Sequence, residues 1–254
     1  MRMDLNSDLG EAYGPWAMGD DAAMLDLVSS ANIACGGHAS DPETMFATLR
    51  AAAARGVTIG AHPGYADREG FGRRIIPMTP ALIGRMIAAQ VGSLQGVAAL
   101  AGAELRYVKP HGALANLAAA DRPVAEAIVA AVAALPGQLA VLAISGTELE
   151  LAARAAGLAV FSEIFADRGY LPNGRLAPRD LPGAVLHDPE TVARRLLAFL
   201  DSGLMPATDG SAIPLAADSI CIHGDNPAAV AMAGLLRQRL TAAGVTIAPF
   251  LAAR

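Results

Sequence analysis

The sequence predicts an α/β fold: a TIM-like (βα) barrel, seven-stranded and deacetylase-like, with its helices outside the sheet. Three observations carry that expectation. Short apolar runs alternate with longer helical patterns along the whole chain, the mark of a parallel sheet with helical crossovers. About seven such units share 254 residues, a length at which βα barrels close as one domain. Ionisable residues collect where the strand-like runs end, the rim at which such barrels build their sites.

Taken in order, the first strand is Met3–Asp8, ending on Asn6 and Asp8 with Glu11 just beyond. Ser30–Ala34 runs into Cys35-Gly36-Gly37-His38. Asp41 followed by Pro42 is a helix start, so Pro42–Arg55 reads as the first long helix. Thr58–His62 is the third strand, and Thr79–Ala101 is a helix opened by Thr-Pro. Tyr107–His111 carries Lys109-Pro110-His111 into Gly112, and Arg122–Leu135 follows the cap Asp121. Leu139–Ile144 and the helix Thr147–Ala156 come next, then Ala159–Phe165, which carries Glu163 and leads to Asp167-Arg168. Pro189–Asp201 is helical, Ser219–His223 is the last strand and leads to Asp225, and Pro227–Ala243 is the last helix. No low-complexity linker and no repeat divides residues 1–254, so one catalytic barrel domain is expected. Three long loops rich in Gly, Pro and Arg, Pro63–Pro77, Asp167–Gly183 and Leu204–Leu215, read as lids or binding loops.

Composition removes several classes of function. With 54% hydrophobic and 17% charged residues the chain must bury a core, which excludes disorder. A net charge of −5 without a Lys/Arg block argues against nucleic acid. Two cysteines make neither a disulfide framework nor a four-thiolate zinc site. The uncharged stretch between Glu126 and Glu148 has the length of a membrane span, but Pro136-Gly137-Gln138 cuts it into helix end, turn and buried strand. The opening Met-Arg-Met-Asp-Leu-Asn is no signal peptide, so no membrane and a cytoplasmic location are expected.

Of the 19 basic residues only Lys109 is a lysine. Coding bias explains the arginines. The exception points to a place where a compact ammonium serves and a planar guanidinium does not. A single His at a strand end is more often a satisfied structural hydrogen-bonder than a catalyst. Six of seven strands delivering an ionisable group to one rim is harder to explain by stability, and this convergence is the stronger evidence. His187 stands apart, in a helix-entry turn, as a capping or surface residue. Cys35 lies three residues from His38, which invites a nucleophile, yet two small buried thiols are the better reading without a base in view. Asp8, His38, His62 and His223 are metal-ligand types without local zinc spacing, and spacing alone leaves the metal open, with Asp8, His38 and His62 as its candidates. No Gly-x-x-x-x-Gly-Lys-Ser/Thr element occurs, so a phosphate loop of that kind is absent.

The chain resembles the LamB/YcsF family through DLNSDLGEAYGPW from Asp4, ANIACGGHASDP from Ala31, GAHPGYADREGFGRR from Gly60, VKPHGALAN from Val108, SEIFADRGYLPNGRLAPR from Ser162 and IHGDNPAA from Ile222. Ser7 and Ala115 stand where many members carry Cys and an aromatic, and neither position is ionisable. The resemblance implies a barrel akin to seven-stranded deacetylases and ATP-dependent opening of 5-oxo-L-proline to L-glutamate, with partner subunits B and C. It implies ATP with Mg as co-substrate, demands no resident cofactor, and leaves a divalent metal and a homo-oligomer open. On that reading Arg73, Arg74, Arg168 and Arg179 are candidates for the substrate carboxylate, and Asn6, Glu11, His38, Asp167 and Asp225 for further substrate contacts. Lys109 would stabilise developing negative charge, and Asp8, Glu163, His62, His111 and His223 qualify as acid/base groups. Asp8 or Glu163 would activate water, and a histidine would protonate the leaving nitrogen. The competing readings are a metal-dependent amide hydrolase working alone and a non-catalytic substrate-binding subunit.

Overall fold

The structure, a computed structural model, describes residues 1–222 and 227–252. Its elements follow the expected alternation. They are β1 (Arg2–Leu9), α1 (Asp21–Leu25), β2 (Ser30–Ala34), α2 (Pro42–Ala54), β3 (Thr58–His62), α3 (Pro80–Ala101), β4 (Leu105–Val108), α4 (Gly112–Ala120), α5 (Arg122–Ala134), β5 (Ala140–Ile144), α6 (Glu148–Ala155), β6 (Val160–Phe165), α7 (Pro189–Ser202), β7 (Leu204–Pro206), β8 (Ala212–Pro214), β9 (Ser219–Cys221), α8 (Pro227–Ala242) and β10 (Thr246–Ile247).

Strands β1, β2, β3, β4, β5, β6 and β9 pair in that order, all in parallel, and β9 pairs back onto β1. The sheet is therefore a closed seven-stranded barrel, as the sequence predicts. The helices start where the caps foretell. Asp41, Asp121 and Asp188 each accept from backbone N–H groups of the first turn, and a proline follows in that turn. Buried apolar faces such as Ile83, Ile87, Val91 and Leu94 of α3 pack on the outer face of the sheet, where Leu5, Ile33 and Ile59 belong to the same core.

The barrel interior is polar, and period-two alternation along β1 explains it. Asp4, Asn6 and Asp8 share one face of that strand, and their bonds cross the barrel. Asn6 Nδ2 donates to Glu163 Oε1 on β6 at 2.9 Å and to Ser219 Oγ on β9 at 2.7 Å. Asn32 on β2 donates to Asn6 Oδ1 and Asp8 Oδ1, and accepts the Tyr107 hydroxyl proton at 2.6 Å. Gly60 on β3 makes room for that tyrosine, because a Cβ there would overlap its ring. The N-terminal end of the barrel is plugged by apolar rings: Phe250 packs on Tyr107 and Phe161 at centroid distances of 5.0 and 4.7 Å. Strand β10 holds this tail in place by pairing with Arg2 and Met3 of β1. The plug leaves the C-terminal rim to receive a ligand.

Some local expectations need correction. Strand β4 stops at Val108 rather than His111, since Pro110 has no N–H for a ladder. The loop 204–215 is not a lid but the antiparallel hairpin β7–β8, attached to Tyr170 through Ala207. The short helices α1 and α4 lie in stretches without a helical reading. Among the described residues no helix is long and apolar enough to cross a membrane.

Candidate active site

A cavity of about 490 Å³ opens at the C-terminal ends of the strands. Its wall includes Asp8, Glu11, His62, Lys109, His111 and Glu163, with Arg73, Arg168, Arg175 and Arg179 also contributing. That volume suits a small organic ligand.

Lys109 is the centre of its floor. The side chain is buried, and Nζ lies 2.8 Å from Glu163 Oε1, 3.0 Å from Asp8 Oδ1 and 3.2 Å from Asn6 Oδ1. The Cys221 sulfur lies at 3.1 Å and the Phe165 ring at 5.2 Å. Burial works against the ammonium, yet Asp8, the Cys221 sulfur and Glu163 together raise its pKa well above the usual value. Lys109 is thus a fixed positive charge in the reaction cavity. Glu163 is buried too. Its Oε1 takes Lys109 and Asn6, while Oε2 has no hydrogen-bond partner. Burial raises the Glu163 pKa, against the pull of the Lys109 ammonium. A buried carboxylate oxygen with an open lone pair is a competent proton acceptor for a small ligand or water.

Beside this floor stands a histidine cluster. His38, His62 and His111 arrive from the ends of β2, β3 and β4, and Glu11 arrives from the end of β1. Their ligand atoms all lie within 4.8 Å of one another, and all four residues are buried. His38 stacks on His111 with centroids 3.6 Å apart. Phe71 wedges against both rings, at 5.4 Å from each, and holds φ +52°, a strained value for a residue with a Cβ. The next residue, Gly72, cannot be anything else: a Cβ there would meet His38 Cβ at 2.7 Å and His111 Cδ2 at 2.8 Å. The loop 63–77 is therefore packed into the site, as its length and composition suggest.

The placements of the expected residues differ in kind. Asp8, Glu11, Lys109, His62, His111, Glu163, Arg73, Arg168 and Arg179 share the cavity wall. Asn6 lies beneath it, with its amide spent on Glu163, Ser219, Asn32 and Lys109, so it positions the floor rather than the ligand. His38 stands behind Glu11 and His111, outside the wall. Arg74 is turned to Asp67 and contributes nothing to the wall. Asp167 is half-buried and outside the wall. His223 and Asp225 lie outside the described residues. Arg168 lines the cavity but donates from Nε to Ala184 and from Nη2 to Ala177, which fastens the loop after β6. Burial and the neighbouring Arg179 lower its pKa to about 10.

Sequence reasoning missed Arg175. This residue lies in the wall, half-buried, and its Nη1 is buried without a hydrogen-bond partner, which suits it to an anionic ligand. Its place in the run SEIFADRGYLPNGRLAPR is the one available signal. Sequence reasoning also missed Glu11 and His111 as members of the set around His38 and His62. Cys35 and Cys221 are buried free thiols whose burial raises their pKa, so neither is an activated nucleophile. His187 is exposed and the cap of α7 is its neighbour Asp188.

Fold and site together define a seven-stranded βα barrel with an acid–base cavity at its C-terminal rim. The profile of the LamB/YcsF family matches residues 3–254, and the chain belongs to that family. A curated relative from Pseudomonas syringae pv. tomato, named 5-oxoprolinase A-subunit 3, is 53% identical over 252 residues, which is 99% of this chain and 98% of its own. One from Nocardia farcinica, named 5-oxoprolinase A-subunit, is 52% identical over 251 residues, covering 99% of this chain and 100% of its own. Among solved structures, a lactam utilization protein from Thermus thermophilus superposes with a TM-score of 0.91 at 43% identity, covering 98% of this chain and 99% of that one.

Proposed function

We propose that this chain is the ring-opening subunit of a 5-oxoprolinase, converting 5-oxo-L-proline to L-glutamate with ATP, Mg and partner subunits B and C. Its relatives' names support the substrate, and the geometry supports the chemistry. The observation that carries the reading is the open Oε2 of Glu163, held beside the Lys109 ammonium on the floor of a cavity walled with arginines. The reading places the protein in the cytoplasm, where ATP is supplied.

A lactam is a resonance-stabilised amide, and phosphorylating its oxygen turns the carbonyl carbon into a stronger electrophile. ATP loses its γ-phosphoryl group to the lactam oxygen and leaves as ADP. Glu163 takes a proton from water as the water oxygen bonds to that carbon and gives it to the ring nitrogen as the C–N bond breaks, while the proton left on the new hydroxyl passes to solvent as the C=O bond re-forms. The product is an acyl phosphate with a free amine, and a second water releases phosphate and leaves glutamate. Lys109 offsets the negative charge that gathers on the oxygens during attack. Arg175 holds the substrate carboxylate. The expected histidine acid gives way to Glu163, because His62 and His111 turn ring nitrogens to the carbonyls of Lys109 and Phe71 and so spend their N–H groups on backbone. Asp8 is the less suited base, since Oδ1 already accepts from Asn32 and Lys109.

The test is glutamate release from 5-oxoproline, ATP and Mg, with and without subunits B and C. Release that needs the partners and falls by about 10²–10⁴ in Glu163→Gln supports the reading. No release in any combination of folded proteins overturns it. The histidine cluster favours a second reading, an amide hydrolase working alone through a metal, which instead predicts release without ATP.

A further inference from the structure

The ring protons of the cluster can be assigned from its hydrogen bonds. His62 Nδ1 lies 2.7 Å from the Lys109 carbonyl oxygen, and His111 Nε2 lies 2.8 Å from the Phe71 carbonyl oxygen. A carbonyl oxygen only accepts, so both of these nitrogens carry hydrogen. A neutral imidazole has one N–H, and its second nitrogen presents a lone pair. Those second nitrogens, His62 Nε2 and His111 Nδ1, face each other at 3.0 Å. Two carboxylates close on the same spot: Asp8 Oδ2 is 3.3 Å from His62 Nε2, and Glu11 Oε1 is 3.7 Å from His111 Nδ1. Glu11 Oε1 is also 2.9 Å from His38 Nε2, while His38 Nδ1 is buried without a partner, so no bond on that side fixes the tautomer of His38.

Electron-rich atoms gathered this way need a cation among them. A single proton bridges one pair and leaves the rest. A divalent ion serves every member at once. We infer that Glu11, His38, His62 and His111 form a divalent metal site of the zinc class, with Asp8 as an outer partner of His62. Three imidazoles and a carboxylate are the donor set of zinc and of cobalt in its place. Metal–nitrogen bonds of about 2.0–2.1 Å put tetrahedral ligand atoms roughly 3.3–3.4 Å apart. Three of the six separations, 2.9, 3.0 and 3.7 Å, bracket that value, and all six lie within 4.8 Å, so the ligands close in slightly around an ion. The carbonyls of Lys109 and Phe71 are the outer acceptors that orient metal-binding histidines in the correct tautomer. The strained Phe71 is then explained by the direction in which its carbonyl points. An ion here would be a Lewis acid at the cavity wall, beside the Lys109 floor. The metal site stands on this geometry and does not rest on the lactam reading.

The experiment uses the whole chain, stripped with a chelator and titrated with Zn²⁺ alone and with Co²⁺ alone. The expected result is about one metal per chain, a tetrahedral Co²⁺ absorption band in the visible, and a melting temperature raised by several degrees. Glu11→Gln and His111→Ala, each shown to be folded by circular dichroism, should weaken Co²⁺ binding at least tenfold, and the exposed His187→Ala should leave it unchanged. The stripped wild-type titration stands alone if those variants fail to fold. The inference is overturned if folded wild-type protein shows neither the Co²⁺ band nor a thermal shift. It is equally overturned if folded Glu11→Gln and His111→Ala bind Co²⁺ as tightly as wild type. None of these readouts involves turnover, so loss of 5-oxoprolinase activity and loss of metal are separable outcomes.

Discussion

Lys109 Nζ lies 2.8 Å from Glu163 Oε1, and both side chains are buried at the centre of the barrel. An ion pair in this setting is maintained by its neighbours rather than by itself. Removing one member leaves the other charged and unsolvated, which costs about 3–5 kcal/mol. Lys109→Met should therefore destabilise the fold by that amount in urea unfolding and abolish glutamate release. The double variant Lys109→Met/Glu163→Gln should recover part of the stability and none of the activity. Lys109→Arg should not rescue either, because a planar fork cannot place its donors on Glu163, Asp8 and Asn6 together. Additive losses in the double variant would mean the two groups are not coupled.

The cavity mouth gives a prediction of a different kind. Arg175 presents a buried Nη1 with no hydrogen-bond partner. A charge-assisted bond to a substrate carboxylate stabilises binding by about 1.5–3 kcal/mol. Arg175→Ala should raise KM for 5-oxoproline by roughly 10–100-fold with kcat little changed, while Arg74→Ala should leave both alone. Steady-state kinetics of the assembled complex distinguishes the two. An unchanged KM in Arg175→Ala would move the carboxylate site to Arg73 or Arg179.

The contrast between Arg175 and Arg74 shows where sequence reading stops. The strands β2 and β3 are readable to the residue, Ser30–Ala34 and Thr58–His62, as short apolar runs between helical stretches. The rim follows from barrel geometry, which sends the ends of parallel strands to one side whatever their order. The sequence alone therefore gathers His38, His62, Lys109 and Glu163. Loop residues carry no such rule. Arg73 and Arg74 are consecutive, yet one lines the cavity and the other pairs with Asp67. Strands of two or three residues, such as β7, β8 and β10, are too short for alternation to register. The polar interior is hidden for another reason. Asp4 and Asn32 look like solvent-facing residues of half-buried strands until the barrel closes over them.

Asp4 makes that enclosure measurable. It accepts from the hydroxyls of Ser29, Ser30 and Ser219, yet burial outweighs them and raises its pKa from 3.8 to about 6. The folded state then binds a proton between about pH 4 and 6 that the unfolded state has released. Stability from this group must fall as pH rises through that window and stay level above it. Two pKa units correspond to about 3 kcal/mol as an upper bound. Asp4→Asn cannot ionise, so its stability relative to wild type should improve by roughly 1–3 kcal/mol between about pH 4 and pH 7. Denaturant unfolding at both pH values measures the difference. A gap that does not change with pH would show that Asp4 titrates normally.

The floor of the site is also tied to a backbone position beneath the rim. Gly60 lets the Tyr107 ring lie across the barrel, and the hydroxyl of that ring holds Asn32, which in turn holds Asn6 and Asp8. Gly60→Ala inserts a methyl group into the space of the ring and must displace it, at about 1–3 kcal/mol for overpacking. The same displacement frees Asn32 and loosens Asp8 against Lys109. Activity should therefore fall further than stability alone would require, measured as glutamate release well below the melting temperature. Tyr107→Phe separates the two effects. It keeps the ring and removes only the proton given to Asn32, so it should cost about 1–3 kcal/mol and reduce kcat without the steric strain. In Gly60→Ala/Tyr107→Leu the smaller side chain should relieve the crowding and recover stability, while activity stays low because no hydroxyl reaches Asn32. Recovery of both together would show that the tyrosine fills space and does not position the site.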